Sequence, residues 1–304
     1  MKNAITQLVK RGLLRIGHYR RAFAQSAFPG VAVLCYHGVR DDALPAGSIP
    51  FQDLHIPAST FDSHCRLIAE CCDPISLDDW RGAIAGGTAL PKRPVLVTFD
   101  DGYRSVLTKA APILQRHGLP AAVFVCTGPM ATRRRLWFDE VGSRHGECAV
   151  EAWKARDYGD WAAACLTGPV VADSDPRALM TADELRSLAS IAGIEIGGHT
   201  VSHPILSRAP VAVQREEIEQ NLRAIEQWSG RQARAFAYPN GRPDIDYTAD
   251  TVSILRQHGI DFAFTTNTSF ARADERALER SRFLLLAGTS DAELAHRLMY
   301  SWER

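Results

Sequence analysis

Short apolar segments alternate with longer helical patterns along most of this 304-residue chain. The apolar segments are rich in valine, isoleucine and phenylalanine, and those at 94–99 and 121–126 are apolar almost without interruption. Strands of this kind are buried on both faces, as in a parallel sheet that helices cover. The repeated order of strand, helix and strand therefore predicts an α/β fold with a parallel sheet, either open or closed into a barrel.

The alternation predicts seven strands, at residues 31–36, 94–99, 121–126, 193–197, 235–238, 261–266 and 282–286. It predicts helices at residues 59–71, 105–117, 181–190, 211–229, 249–258 and 290–301. Thr181 and Glu184 have the spacing of a capping box, and Gly118 and Gly259 follow predicted last helical turns. Residues 131–180 interrupt the alternation with an arginine run, scattered acids and three tryptophans. We interpret them as a helical insertion between barrel units.

The first 29 residues are treated as a basic amphipathic segment that precedes a single domain at 30–304. Residues 1–23 contain no acidic side chain and six basic ones: Lys2, Lys10, Arg11, Arg15, Arg20 and Arg21. Aliphatic side chains are interleaved with them: Leu8, Leu13, Leu14 and Ile16. Two interpretations remain open for this predicted helix. It lies on an anionic membrane surface, or it is a solvated helix that packs on its own domain.

Charge and cysteine content restrict the classes of function and the compartment. The chain has 35 basic and 35 acidic side chains, so nothing favours nucleic acid as a partner. It has no secretory signal pattern and no apolar run of membrane-spanning length. Its seven cysteines are odd in number, and several lie in apolar segments, as buried thiols of a reduced compartment do. We expect a cytoplasmic protein, either free or at the inner face of the membrane.

Two polar motifs follow predicted strands at their carboxyl ends, where parallel α/β folds carry their chemistry. Asp100 and Asp101 come directly after the strand at 94–99, and His199 and His203 follow the strand at 193–197. Carboxylates at the end of an apolar strand are costly unless they are exposed, paired or metal-bound. Histidines four apart share one face of a helical turn. The alternatives are an ordinary Asp-Asp-Gly turn and two structural histidines. Together the motifs predict one carboxylate and two imidazoles on a divalent metal, with a second carboxylate beside it.

Three motifs, TFDDGY at 98–103, HTVSHP at 199–204 and FAYPNG at 236–241, together resemble the polysaccharide deacetylase family. This is the NodB-homology group, carbohydrate esterase family four, and the resemblance extends over residues 30–290. It implies a distorted (β/α)7 barrel that removes acetyl groups from N-acetylhexosamines. It also implies that Asp101, His199 and His203 are the metal ligands, that Asp100 is the catalytic base and that the Asn240 backbone N–H is the oxyanion donor.

The chain departs from the family pattern at two places. Ala237 stands where the third motif usually has an arginine that orients the base. No Leu-x-His motif follows the last predicted strand, and the matching letters at 294–296 lie inside a predicted helix. These departures leave the general acid and the base-orienting arginine to be found elsewhere.

The segment at 33–39 resembles a subgroup in which the motifs are circularly permuted, as in poly-N-acetylglucosamine deacetylases. This resemblance implies that His37 is the general acid. Arg282, at the start of the last predicted strand, is our candidate for the missing arginine.

We therefore interpret the chain as a metal-dependent N-deacetylase of an N-acetylhexosamine in a glycan or glycoconjugate precursor, either lipid-linked or nucleotide-linked. Two nitrogens and one oxygen favour Zn²⁺, and Fe²⁺ or Co²⁺ suit the same ligands. Two alternatives remain. One is a deacetylase or amidohydrolase of a small non-polymeric amide or amino-sugar metabolite, and the other is a non-catalytic glycan-binding barrel. Trp137, Phe138 and Asp139 either face the sugar or anchor the insertion.

Overall fold

A computed structural model describes residues 2–300, without the side chains of residues 2–5 and 165–166. Three positions that the sequence predictions name therefore lie outside this description: Met1, the side chain of Lys2 and the last predicted helical residue, Ser301.

Within residues 2–300 the chain forms ten strands, and every pairing between them is parallel. Their bounds are β1 Ala32–Tyr36, β2 Gly38–Arg40, β3 His55–Pro57, β4 Asp73–Pro74, β5 Pro94–Phe99, β6 Ala121–Val125, β7 Ile194–Gly198, β8 Ala235–Ala237, β9 Phe262–Phe264 and β10 Phe283–Leu284. The main sheet has the order β10-β1-β5-β6-β7-β8-β9, and these are the seven strands that the sequence predicts. The predicted parallel α/β fold is therefore confirmed.

The main sheet curls so that its last strands approach its first. The Thr265 N–H donates to the Arg280 carbonyl at 2.8 Å, and the Arg282 N–H donates to the Asn267 carbonyl at 2.9 Å. From the next residue, Phe283, β10 pairs with β1. The segment at 280–284 thus bridges β9 and β1, which gives the distorted barrel that the resemblance implies.

Thirteen α-helices lie in the same part of the chain. Their bounds are α1 Lys2–Arg15, α2 His18–Gln25, α3 Ala58–Cys71, α4 Leu77–Ile84, α5 Ala111–His117, α6 Thr127–Thr132, α7 Trp137–His145, α8 Glu147–Lys154, α9 Tyr158–Thr167, α10 Ala182–Ala189, α11 Val211–Ser229, α12 Ala249–Gln257 and α13 Asp291–Tyr300. The predicted capping box is present at α10, where Thr181 Oγ1 accepts from the Glu184 N–H at 3.2 Å. None of these helices has both the length and the apolar content that a membrane span requires.

The predicted single helix at the amino terminus is wrong in one respect, because it is divided into α1 and α2. Gly17 between them has φ 73°, a left-handed conformation that glycine adopts without a Cβ clash. Both helices pack on α13: Lys10 Nζ lies 2.6 Å from Glu293 Oε2, and the Tyr19 hydroxyl lies 3.1 Å from His296 Nδ1. His296, the histidine of the late Leu-x-His letters, therefore lies on a helix that packs against the amino-terminal segment.

Residues 131–180 form α7, α8 and α9 between β6 and β7, so the predicted insertion is helical. Its arginine run is used within the insertion. Arg133 pairs with Asp173, Arg134 Nε donates to the Gly168 carbonyl at 2.8 Å, and Arg135 pairs with Asp175 at 2.6 Å. These contacts tie the start of the insertion to its end.

Candidate metal centre and catalytic pocket

The carboxyl ends of the central strands converge on one pocket. Asp100 and Asp101 follow β5 directly, His199 follows β7, and His37 follows β1. The pocket has a volume of about 190 Å³. It is lined by Cys35, His37, Phe51, Leu54, Asp100, Asp101, Trp137, Phe138, Val150, Lys154, His199, His203, Tyr238, Asn240, Thr266 and Leu284. All but one of the predicted site residues line it. The exception is Arg282, which lies behind Asp100.

Asp101, His199 and His203 meet at the base of this pocket. Asp101 Oδ1 is 3.4 Å from His199 Nε2 and 3.5 Å from His203 Nε2. Two ligand atoms on one tetrahedral zinc, each about 2.0–2.1 Å from it, lie about 3.4 Å apart. The Asp101 carboxylate oxygens are buried without a hydrogen-bond partner among the described residues. The spacing and the unsatisfied carboxylate both fit a divalent cation.

The two histidines differ in the hydrogen bonding and in the pKa of their imidazoles. His199 Nδ1 lies 2.7 Å from the Ala237 carbonyl, which can only accept, so Nδ1 carries the proton that this bond needs. Burial disfavours the doubly protonated ring, but Asp101 outweighs burial and raises the pKa of His199. Burial lowers the pKa of His203 to about 4, so its ring is neutral near pH 7. A cation at Nε2 of His199 would replace the proton that Asp101 now favours.

The two histidines do not share a helical turn, so that expectation from their spacing is wrong. Residues 199–205 form a loop, in which Thr200 and His203 have φ values of 69° and 59°. Asp101 and Asn240 are also left-handed, at 75° and 56°. Non-glycine residues in this region are uncommon, and strain of this kind concentrates at functional sites. The loop places the two imidazole centroids 4.9 Å apart.

Helix α11 holds this histidine loop through two polar side chains that were not predicted from the sequence. Glu217 accepts hydrogen bonds from the Val201 and Ser202 N–H groups, at 2.8 and 2.9 Å. Asn221 accepts from the His199 N–H at 3.1 Å and donates to the Thr200 carbonyl at 2.6 Å. Both side chains are buried. One feature of the sequence could have indicated this role. Glu217 and Asn221 are polar, four residues apart, and on the helix face that also carries the buried Ile218 and Ile225.

The insertion contributes one wall of the pocket. Trp137 Nε1 donates to the His203 carbonyl at 2.8 Å, and the Phe138 ring packs edge-on against the His203 imidazole at 5.1 Å. Asp139 lies behind them and accepts from the Tyr103 hydroxyl at 2.8 Å, and burial raises its pKa to about 7. Trp137 and Phe138 therefore both anchor the insertion and line the pocket, whereas Asp139 only anchors it.

Asp100 and Arg282 form a buried, bidentate ion pair. Arg282 Nη1 and Nη2 lie 2.7 and 2.8 Å from the two carboxylate oxygens, and Nε donates to the Thr265 carbonyl at 3.0 Å. Burial alone would raise the pKa of Asp100, but the guanidinium outweighs burial and holds it well below its usual range. The Cys35 thiol lies 3.5 Å from Asp100 Oδ2 and donates to it. Asp100 is thus an ionised carboxylate of fixed orientation.

His37 lines the same pocket and lies beside Asp100 and Cys35. One of its ring nitrogens, Cys35 Sγ and an Asp100 oxygen all lie within 4.8 Å of one another. His37 Nδ1 is buried without a partner among the described residues. His55 packs against Gly38, the residue after His37, where a Cβ would overlap the His55 ring. Burial and His37 lower the pKa of His55 to about 3, so His55 adds no charge here.

Asn240 lies at the mouth of the pocket, after β8. Its carbonyl accepts from the Thr266 hydroxyl at 2.8 Å. Its backbone N–H has no hydrogen-bond partner within residues 2–300. A left-handed residue with a free N–H at a pocket edge can donate to a developing oxyanion.

Comparisons with known proteins agree with this geometry. Residues 87–263 match the family model described as polysaccharide deacetylase. The chain is 48% identical over 92 residues to the poly-β-1,6-N-acetyl-D-glucosamine N-deacetylase of Escherichia coli (strain K12). That match spans 30% of this chain but only 13% of the relative. YxkH of Bacillus subtilis (strain 168), named as a candidate polysaccharide deacetylase, is 23% identical over 253 residues, which are 82% of this chain and 70% of that protein.

A solved structure shows the same fold. The Streptococcus pyogenes deacetylase PplD, in complex with acetate, superposes with a TM-score of 0.65 at 21% identity. The superposition covers 89% of this chain and 99% of that one. At this identity the likeness concerns the fold alone.

Proposed function

Because this chain belongs to the polysaccharide deacetylase family, whose members hydrolyse amide bonds, we propose that it removes the acetyl group from an N-acetylhexosamine. The observation that carries the proposal is the pairing of an ionised Asp100 with the Asp101, His199 and His203 cluster in one pocket. Asp101 belongs to the cation site. Its neighbour Asp100 is oriented by Arg282 and is free to accept a proton.

The cluster suits a resident divalent cation, and zinc is our proposal because two imidazoles and a carboxylate are its usual catalytic ligands. When bound, such a cation polarises the substrate carbonyl and lowers the pKa of a coordinated water toward about 7. Asp101, His199 and His203 would hold it, and the Ala237 carbonyl and the Trp137 indole would keep His199 and the His203 backbone in place.

The residues of the chain then have separate tasks. Asp100 accepts a proton from the attacking water as the new C–O bond forms at the acetyl carbon. The Asn240 N–H donates to the carbonyl oxygen as its negative charge develops, a contact worth about 3 kcal/mol. His37 gives a proton to the amide nitrogen as the C–N bond breaks, so that a free amine leaves. The products are acetate and the amino sugar.

The substrate class follows from the family and from the pocket walls. The Escherichia coli relative is named for a polymer of N-acetylglucosamine, and we propose an N-acetylhexosamine unit of a glycan or glycoconjugate precursor here. Trp137 and Phe138 give the pocket an aromatic wall. Apolar sugar faces pack on such walls, while the acetamide reaches the polar base of the pocket. A lipid-linked or nucleotide-linked precursor remains part of the proposal.

The test is acetate release from a panel of acetylated amino sugars. The panel contains N-acetylglucosamine oligomers, the nucleotide-linked sugar, a lipid-linked form and a simple non-sugar acetamide. We expect acetate only from the sugar substrates, loss of activity after chelation, and recovery on adding zinc. Release from the non-sugar amide alone would favour the amidohydrolase alternative. Retained zinc with no turnover on any substrate would favour a glycan-binding barrel.

We expect the His37→Ala variant to lose about 10²-fold in kcat, the lower end of the range for a general acid. His37 is only partly buried, so water can deliver part of the missing proton. The loss should be much smaller on a substrate whose leaving group needs no proton, such as an aryl acetate ester. The measurement is kcat for amide and ester with both proteins. Equal losses on the two substrates would remove His37 from the acid role.

A further inference from the structure

Helix α1 has one face that packs on the domain and one that does not. Gln7 and Lys10 bind Glu293 of α13, at 3.0 and 2.6 Å, and Leu13 and Leu14 pack against the core. The opposite side, which we call the outer face of α1, consists of Leu8, Val9, Arg11, Gly12 and Arg15 together with Ile16, the residue that follows the helix. All six residues are exposed.

The outer face concentrates apolar side chains that normally avoid water. Seven large hydrophobic side chains are exposed in the described part of the chain, and three of them are here: Leu8 at 71%, Val9 at 56% and Ile16 at 69%. Leu8 and Gly12 are four residues apart on the helix, and Ile16 continues their line because its N–H donates to the Gly12 carbonyl at 3.1 Å. Exposed apolar residues that occur singly need no explanation, but a cluster on one helix face marks an interaction surface.

The charge of this segment identifies the kind of partner. Arg11 and Arg15 flank the apolar line, and no acidic residue occurs before Asp41. The groove of about 280 Å³ beside α1 adds Arg20 and Arg66, against Glu70 and Asp291. Arg20 pairs with Glu70. Arg15 of the outer face also lines this groove, which therefore holds three arginines against two acids, and none of the six residues of the outer face is acidic. The phosphates of an anionic bilayer attract arginine side chains, whereas an apolar patch on a protein partner would gain nothing from this excess of arginine.

From the exposed apolar line, the flanking arginines and the docked opposite face, we infer that the outer face of α1 binds the surface of an anionic lipid bilayer. The helix lies in the plane of the interface with Leu8, Val9 and Ile16 among the acyl chains and with Arg11 and Arg15 at the phosphates. The packing of Lys10 on Glu293 would keep the domain attached to the bound helix.

The contacts of α1 with α13 lie toward the end of the sheet that carries the pocket. Gln7 and Lys10 contact the first turn of α13, and α13 begins shortly after the carboxyl end of β10. The pocket lies at the carboxyl ends of the same sheet. The docked side of α1 is therefore attached near the edge of the domain that carries the pocket.

The test is co-sedimentation of the full chain with vesicles. One set contains phosphatidylcholine and phosphatidylglycerol in a two-to-one ratio, and the other contains phosphatidylcholine alone. We expect binding to the anionic vesicles only, and weaker binding at high salt. Leu8→Gln with Ile16→Gln should weaken binding by about tenfold or more. Arg11→Gln with Arg15→Gln should weaken it by about fivefold for each arginine.

The matched control carries Ile84→Gln and Ile245→Gln, which remove exposed isoleucines of similar exposure from other surfaces. It should bind vesicles like the wild type. The proposal is wrong if the wild type ignores anionic vesicles, or if the Leu8 and Ile16 changes leave binding intact. It is also wrong if those changes abolish only self-association, measured by light scattering. The assay needs no turnover, so its result is independent of the proposed function.

Discussion

We expect the Asp100→Asn variant to lose about 10³–10⁴-fold in kcat while it keeps its metal, a loss in the upper range for a general base. Asparagine has nearly the same shape as aspartate but cannot accept a proton from water at neutral pH. The ligands Asp101, His199 and His203 do not include this side chain. The measurements are acetate release and metal content, both on the purified variant.

His203→Ala is the matched contrast for Asp100→Asn. It removes one imidazole of the cluster, so metal content and turnover should fall together. If Asp100→Asn retained a rate near that of the wild type, Asp100 could not be the base. If both variants lost their metal equally, the division of labour between the two aspartates would be wrong.

The seven strands of the main sheet were predictable because each lies within a segment of four to six mostly apolar residues, even where the strand itself is as short as β8, β9 or β10. The short β2, β3 and β4 were not, since charged, histidine and proline residues interrupt them and no apolar segment of that length surrounds them. The pocket position was predictable for the same reason: in a parallel sheet, motifs that follow different strands meet at one edge. Asp100, Asp101 and His199 illustrate this directly.

The path of the histidine loop could not be read from its spacing. His199 and His203 are four positions apart, as on one face of a helix, but left-handed residues at Thr200 and His203 produce the convergence instead. The side chains that hold this loop come from α11, and Asn221 is 22 positions after His199. Neither periodicity nor propensity reports such contacts, because they depend on how a later helix packs across the sheet edge.

Arg282 shows what closure of the sheet adds. It is separated from Asp100 by 182 positions, and its two contacts with the carboxylate exist only because residues 280–284 bridge β9 and β1. Ala237, the position of the usual arginine, instead supplies its carbonyl to His199 Nδ1. The guanidinium thus reaches Asp100 from the closing strand, so the departure at position 237 leaves the base with a partner.

The Arg282→Met variant should be destabilised by about 3–5 kcal/mol in free energy of unfolding, the usual cost of leaving a buried charge unpaired. Methionine approximates the length of the side chain but cannot balance the Asp100 carboxylate. Chemical denaturation at pH 7 measures the effect. The double variant with Asp100→Asn provides the control, since it removes both charges. Its free energy of unfolding should be about 2 kcal/mol higher than the value obtained by adding the effects of the two single substitutions.

The single variant Arg282→Met should also change the pH dependence of stability and of kcat/KM, in a direction that a purely structural role would not produce. In the wild type, Arg282 keeps the pKa of Asp100 low, so the pair stabilises the fold above pH 4 and loses that contribution as the pH falls further. Without the guanidinium, burial remains and raises the pKa of Asp100. The penalty of Arg282→Met should then shrink as the pH falls, and the acid limb of kcat/KM should move to higher pH. An unchanged acid limb would show that Arg282 does not set the charge of Asp100.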